Sequence, residues 1–152
     1  MRLVWVMLFW LLTATFAVQA LCVDKAFDQL LRAKSVRCQF NEGTTASWDG
    51  GKPRLERGKA GEGTTSTFDS IDVKEGRARL ITRAGAGDVA VISTLIGVTF
   101  IESVENGGLN ITTVFTQYVK AAGERFIAVF SKHVDVFGPL PSQWHGTCQI
   151  LQ

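Results

Sequence analysis

VTFIESVENGGLNITTVFTQYV, residues Val98–Val119, is the stretch that decides the fold. Two runs rich in β-branched and aromatic residues, Val98 to Val104 and Leu109 to Val119, flank Glu105-Asn106-Gly107-Gly108. Alternation with a period of two suits a strand with one buried face. Asn-Gly between such runs supplies the positive φ angles of a tight hairpin turn. The stretch therefore predicts an antiparallel hairpin.

The same rhythm extends in both directions. Upstream, Val36, Cys38 and Phe40 alternate with Arg37 and Gln39, and Thr44 to Trp48 reads as a second strand ending at Asp49-Gly50-Gly51. Lys52 to Gly63 is charged and glycine-rich, which predicts an exposed hairpin. Thr64 to Val73, Arg77 to Arg83 and Val89 to Thr94 read as strands, separated by turns at Lys74-Glu75-Gly76 and Ala84 to Asp88. Downstream come a turn at Ala121-Ala122-Gly123, a strand over Arg125 to Val136, a loop at Phe137 to Pro141 with two prolines, and a final strand around Cys148. Only Val23 to Ala33 departs from this period, with Val23, Phe27, Leu30 and Leu31 at helical spacing.

Eight to ten short strands without a long crossover give an all-β chain, and so many strands leave open edges unless the sheet curls on itself. The expected architecture is a small antiparallel up-and-down β-barrel, lipocalin-like in general form, with one short N-terminal helix capping an end or lying alongside. A two-sheet β-sandwich is the alternative. The chain divides into residues 1–20, a leader; 21–34, a helical segment; and 35–152, a single barrel domain.

Arg2 is followed by Leu3 to Val18, apolar and aromatic apart from Thr13 and Thr15. This run falls short of the ~20 residues of a spanning helix and matches the hydrophobic region of a secretory signal peptide. Val18-Gln19-Ala20 predicts cleavage between Ala20 and Leu21. Leu21 stands where lipid attachment at Cys22 would require a small residue, which argues against a lipoprotein. The expected destination is the periplasm or the exterior, with no transmembrane segment in the mature chain.

Export to an oxidising compartment permits disulfides. Three cysteines, Cys22, Cys38 and Cys148, allow three single pairings. Cys38 and Cys148 lie in similar strand-like settings at opposite ends of the domain, and their pairing is favoured. Cys22 is then a free thiol or pairs with another chain.

The chain carries 16 Lys and Arg against 14 Asp and Glu. Near-neutral charge argues against nucleic-acid binding. Arg77, Arg79 and Arg83 are expected on one strand face and, with Lys52, Arg54, Arg57 and Lys59, suggest a patch for an anionic partner. A solvated outer face balanced by nearby carboxylates is the plainer reading. His133 and Asp135 share a strand face near Ser131, and His145 precedes Gly146-Thr147-Cys148, so these three form a possible polar site. No nucleophile elbow accompanies them. With only two histidines no metal site is expected, and the glycine-rich segments lack the Lys-Ser/Thr ending of a phosphate loop. No catalytic residues and no cofactor are assigned. Asn110-Ile111-Thr112 matches the glycosylation sequon, relevant only in a eukaryotic host.

Val98-Thr99-Phe100-Ile101-Glu102, Asn110 to Phe115, Pro139-Leu140-Pro141-Ser142-Gln143 and Gly146-Thr147-Cys148 together resemble a group of small exported proteobacterial proteins of unknown function. The resemblance covers about half the chain and implies no activity. In size, export and an end-to-end disulfide the chain is also similar to periplasmic inhibitors of C-type lysozyme, which are eight-stranded barrels. That similarity is architectural. Their Ser-Gly-x-x-Tyr loop is absent, and the one tyrosine, Tyr118, sits in Thr116-Gln117-Tyr118-Val119. The expected function is non-catalytic binding of a small ligand or an anionic envelope component. The alternative is a protein-interaction or inhibitor module acting on an envelope or host enzyme, favoured by a protruding Lys52–Gly63 segment.

Overall fold

The computed structural model describes residues 25–59, 64–105, 107–119, 125–135 and 138–151. The leader expected over 1–20, the cleavage expected between Ala20 and Leu21, Cys22 and the turn expected at 121–123 lie outside the described residues.

Alternation turns into nine strands: β1 Val36–Asp49, β2 Lys52–Lys59, β3 Thr65–Asp72, β4 Arg77–Thr82, β5 Gly85–Thr94, β6 Gly97–Ser103, β7 Leu109–Val119, β8 Arg125–His133 and β9 Ser142–Ile150. From β3 to β9 each strand pairs with the next, and β9 returns to pair with β1. The result is the expected all-β barrel: eight strands close it and β2 is an addition. One closed ladder leaves no division into two sheets, so the sandwich alternative falls.

β1 is the strand on which closure turns. One of its edges takes β9 from Val36 to Thr45. Its other edge takes β3 over Val36–Gln39 and then β2 over Glu42–Asp49. β2 and β3 are therefore two lengths of one interrupted strand. The sequence expectation of two strands over Val36–Trp48 is corrected to one, bulged between Phe40 and Glu42. An extra residue at the bulge bends a strand without ending it. A second correction concerns Lys52 to Gly63, which is not a hairpin in itself. Lys52–Lys59 is the returning arm of a hairpin whose tip is Gly50-Gly51, with φ angles of 56° and 79°. Both values fit the two-residue turn that matches sheet twist. Third, Gly85 to Asp88 belongs to β5, opposite Thr82 to Arg79, and only Arg83-Ala84 forms the turn.

Inward residues fill the barrel. Val36, Cys38, Phe40, Phe68, Leu80, Val89, Val91, Val98, Phe100, Val114, Phe126 and Ala128 are buried. The Phe68 and Phe100 rings stack with centroids 3.9 Å apart, and Phe40 meets Phe130 at 5.6 Å. Aromatic pairs at such distances add about 0.5–1.5 kcal/mol each beyond their buried area. Residues 25–32 are helical, and this helix presents Ala26 and Leu30 to the same core. Val73 and Ile150 pack beside that cluster, and the Ile71 amide donates to the Lys34 carbonyl at 3.0 Å. The helix thus closes the end at which β1 begins. Its buried stripe centres on Ala26 and Leu30, with Phe27 and Leu31 at its margins.

Cys38 and Cys148 are direct partners across the β1–β9 seam, with Cα atoms 4.0 Å apart, and they form a disulfide. The residues joined are 110 apart in sequence. Closing a loop of that size in the unfolded chain corresponds to about 4–5 kcal/mol of stabilisation in the chain-entropy description. Replacing both cysteines by alanine is expected to lower unfolding free energy by about 4 kcal/mol. Urea denaturation of the oxidised protein and the double variant measures this, and a loss below about 1 kcal/mol would refute the seam's role as a major constraint.

Candidate functional site

Past Thr45, where β9 ends its pairing with β1, the β1–β2 hairpin continues as an arm. All eight β2 residues are exposed. Leu55 is 74% exposed and Trp48, opposite Pro53, is 52% exposed. Alternation places Pro53, Leu55, Arg57 and Lys59 on one face of β2 and Lys52, Arg54, Glu56 and Gly58 on the other. Arg54 faces Asp49 at 3.8 Å, an exposed pair of small energetic weight.

A tryptophan holds the arm to the barrel. Gly43 pairs with Trp144 on one side and Gly58 on the other. An added Cβ at Gly43 would meet the Gln143 carbonyl and the Trp144 ring, and one at Gly58 would lie 3.6 Å from the same ring. Two adjacent glycines therefore leave a trough into which the indole lies flat, an aromatic packed over glycines across neighbouring strands. The indole N–H donates to Ser142 Oγ at 3.2 Å, so its polar group is satisfied.

The opposite, outward face of these strands forms a groove. Glu42, Thr44, Arg57, Lys59 and His145, with the backbones of Gly43 and Gly58, line a concavity of about 560 Å³. A second concavity of about 270 Å³ shares Thr44 and continues past Leu55, Ala46, Gln143 and Ser131 to His133. Two cations, one carboxylate and one imidazole line the larger of the two concavities. Such a surface attracts carboxylates and phosphates.

The sequence-predicted residues separate into three groups. Arg57 and Lys59 join His145 in the groove, an association that linear sequence did not display. Arg77 and Arg79 lie on the exposed face of β4, where Arg77 is opposite Asp72 and Arg79 stands between Asp69 and Asp88. Arg83 is in the β4–β5 turn rather than on that face. Arg79 is level with Asp69 and Lys59 with Glu42, so roughly 20 Å of strand separates the two basic groups. The single patch is thus two, and the one on β4 is balanced by carboxylates.

Asp72 illustrates that balance. Its carboxylate accepts from the amides of Glu75 at 3.0 Å and Lys74 at 3.1 Å. These amide bonds, Glu75 first, and the charges of Lys34 and Arg77 outweigh the opposing effect of burial and hold its carboxyl below the usual carboxylate range.

His133, Asp135 and His145 do not form one cluster. His145 is opposite Val129, and Gln143 opposite Ser131, so His133 lies four residues further along the sheet, about 13 Å away. Asp135 is beyond the end of β8, where its carboxylate accepts the Gly138 amide at 2.9 Å and its backbone bridges Pro139. Ser131 Oγ takes a bond from Gln143 Nε2 at 3.4 Å. Asn110 of the sequon is inward-facing and donates to Glu102 at 2.6 Å, with its Oδ1 buried. In the folded domain it is no acceptor for a glycan. Among the described residues, no group of three or more His, Cys, Asp or Glu is placed to hold a metal ion.

No protein-family model and no curated protein matches this chain.

Two outcomes follow from the site's construction. Trp144→Ala is expected to cost about 3 kcal/mol and to raise trypsin cleavage at Arg54 and Arg57, because the arm loses its anchor. Asp72→Ala is expected to destabilise at neutral pH. A lowered folded-state pKa stabilises fully above the unfolded value, and that contribution is lost as pH falls through the folded value. The difference from the parent protein should therefore begin to shrink at about pH 4 and narrow further on acidification. Urea denaturation and limited trypsinolysis read the first, and thermal denaturation as a function of pH reads the second.

Proposed function

We propose that the chain is an exported, non-catalytic recognition module that binds an acidic protein partner through the β1–β2 arm and the groove beside it. The observation that carries this reading is the arm itself. It projects past the closed barrel with every β2 residue exposed, and it sets Leu55 and Trp48 on the same face as Arg57 and Lys59. Exposed apolar groups rimmed by charge are the usual anatomy of a protein contact.

The filled interior weighs against a small ligand held inside the barrel, since Phe40, Phe68, Phe100, Phe126 and Phe130 occupy the space such a ligand would need. A lipid headgroup or a small anion would be met by the basic groove alone and would leave the exposed Leu55 and Trp48 unused. Export is supported by the leader-like N-terminus and by the disulfide, which suits an oxidising compartment. Among the described residues no helix is long and apolar enough to cross a membrane. An inhibitor of an envelope or host enzyme falls within this reading.

Site-specific photo-crosslinking in envelope extract tests it. A crosslinker at Leu55 is expected to capture a protein that one at Ala90, exposed on the outer face of β5, does not. Arg57→Glu with Lys59→Glu should reduce that capture about tenfold, equivalent to ~1.4 kcal/mol. Equal capture at both positions, or capture indifferent to the charge reversal, would overturn the reading.

A further inference from the structure

We infer that the partner is held by strand addition: an acidic, extended segment pairs with the open edge of β2. This rests on the arm being the partner-binding element and adds the mode of binding and the chemistry of the partner.

Among the described residues β2 pairs with β1 alone, so its second edge is unoccupied. The register says which groups it offers. In a hairpin with a two-residue turn, the flanking pair Asp49–Lys52 is hydrogen-bonded, and bonded pairs then alternate along the ladder. Lys52, Arg54, Glu56 and Gly58 accordingly bond to β1. Leu55, Arg57 and Lys59 direct their backbone N–H and C=O groups away from it. The neighbouring strand agrees: Ala46, opposite Leu55, directs its amide to the Pro141 carbonyl on the far side of β1, at 2.8 Å. Pro53, which has no N–H, belongs to the outward set at the tip, so the usable edge begins at Leu55. This stretch offers three donors and three acceptors in the spacing that an incoming strand needs.

Charge selects the occupant. β2 carries Lys52, Arg54, Arg57 and Lys59 against Glu56 alone. Two β2 edges brought together would set four cations against four, and like charges on paired strands repel. A second copy of this chain is thereby disfavoured. Along the usable edge an acidic strand meets Arg57 and Lys59 on the groove side, with Arg54 just before it on the other face. The cations and proline that protect the edge from indiscriminate pairing are the same features that make it selective.

Amide hydrogen exchange by NMR on the full domain is the test. The probe is an end-blocked heptapeptide of alternating Glu and Val; alternating Lys and Val is the control. Saturation with the acidic peptide is expected to slow exchange at Leu55, Arg57 and Lys59 by at least about tenfold and to leave Arg54 and Glu56, already bonded to β1, unchanged. The control peptide should do neither. Leu55→Pro removes one outward donor without touching a β1–β2 bond. It should abolish the protection while leaving the barrel spectrum intact.

Shifts confined to Glu42, Arg57, Lys59 and His145, with no amide protection, would overturn strand addition and leave the arm as a simple charged contact. Absence of binding at millimolar peptide, while crosslinking at Leu55 persists, would also overturn it. Protection of the same three amides in the unliganded protein at high concentration would identify a second copy as the occupant.

Discussion

Everything in this molecule depends on the β1–β9 seam. A row of strands has two open edges, and a small domain has too few residues to cover them with helices. Pairing β9 with β1 removes both at once. The disulfide between Cys38 and Cys148 fixes that pairing at a single register. Inward alternation follows from closure, because a closed sheet has one interior and each strand must send every second side chain into it. The stacked phenylalanines are the content of that interior, and the helix over residues 25–32 is its stopper.

The arm is a by-product of the same seam. β1 is longer than closure requires, and β9 keeps it company only as far as Thr45. Beyond that point the hairpin has no barrel behind it, so its stability comes from the turn at Gly50-Gly51, the ladder to β2 and the indole of Trp144. An element held by so few contacts leaves its polar and apolar surface to solvent. The surplus of the fold is the part with surface to spare for a partner.

Much of the architecture was legible because period and punctuation are local. Val98–Val119 announced its hairpin, and Val36, Cys38 and Phe40 announced an inward face that β1 keeps. Bulges were invisible, since the extra residue at Asn41 leaves no mark in composition, and one strand therefore read as two. Gly85 to Asp88 read as a turn because their place in β5 is set by opposing residues of β4, not by their own propensity. Pairing of the cysteines followed from their settings. The site was less readable. Lys59 and His145 are joined only through Glu42, which pairs with both, and the link depends on a register that pattern alone does not supply. The basic strand at β4 was conspicuous in sequence yet neutralised by Asp69, Asp72 and Asp88 from neighbouring strands.

The seam also sets the order in which the molecule can come into being. β1 is among the first structured segments to be made, and the strand that completes it is the last. Contacts this distant in sequence make for slow folding, and until they form both β1 and β8 present bare edges. Without β9 the remaining strands form an open sheet rather than a slightly weaker barrel, so closure is all-or-none in this one strand.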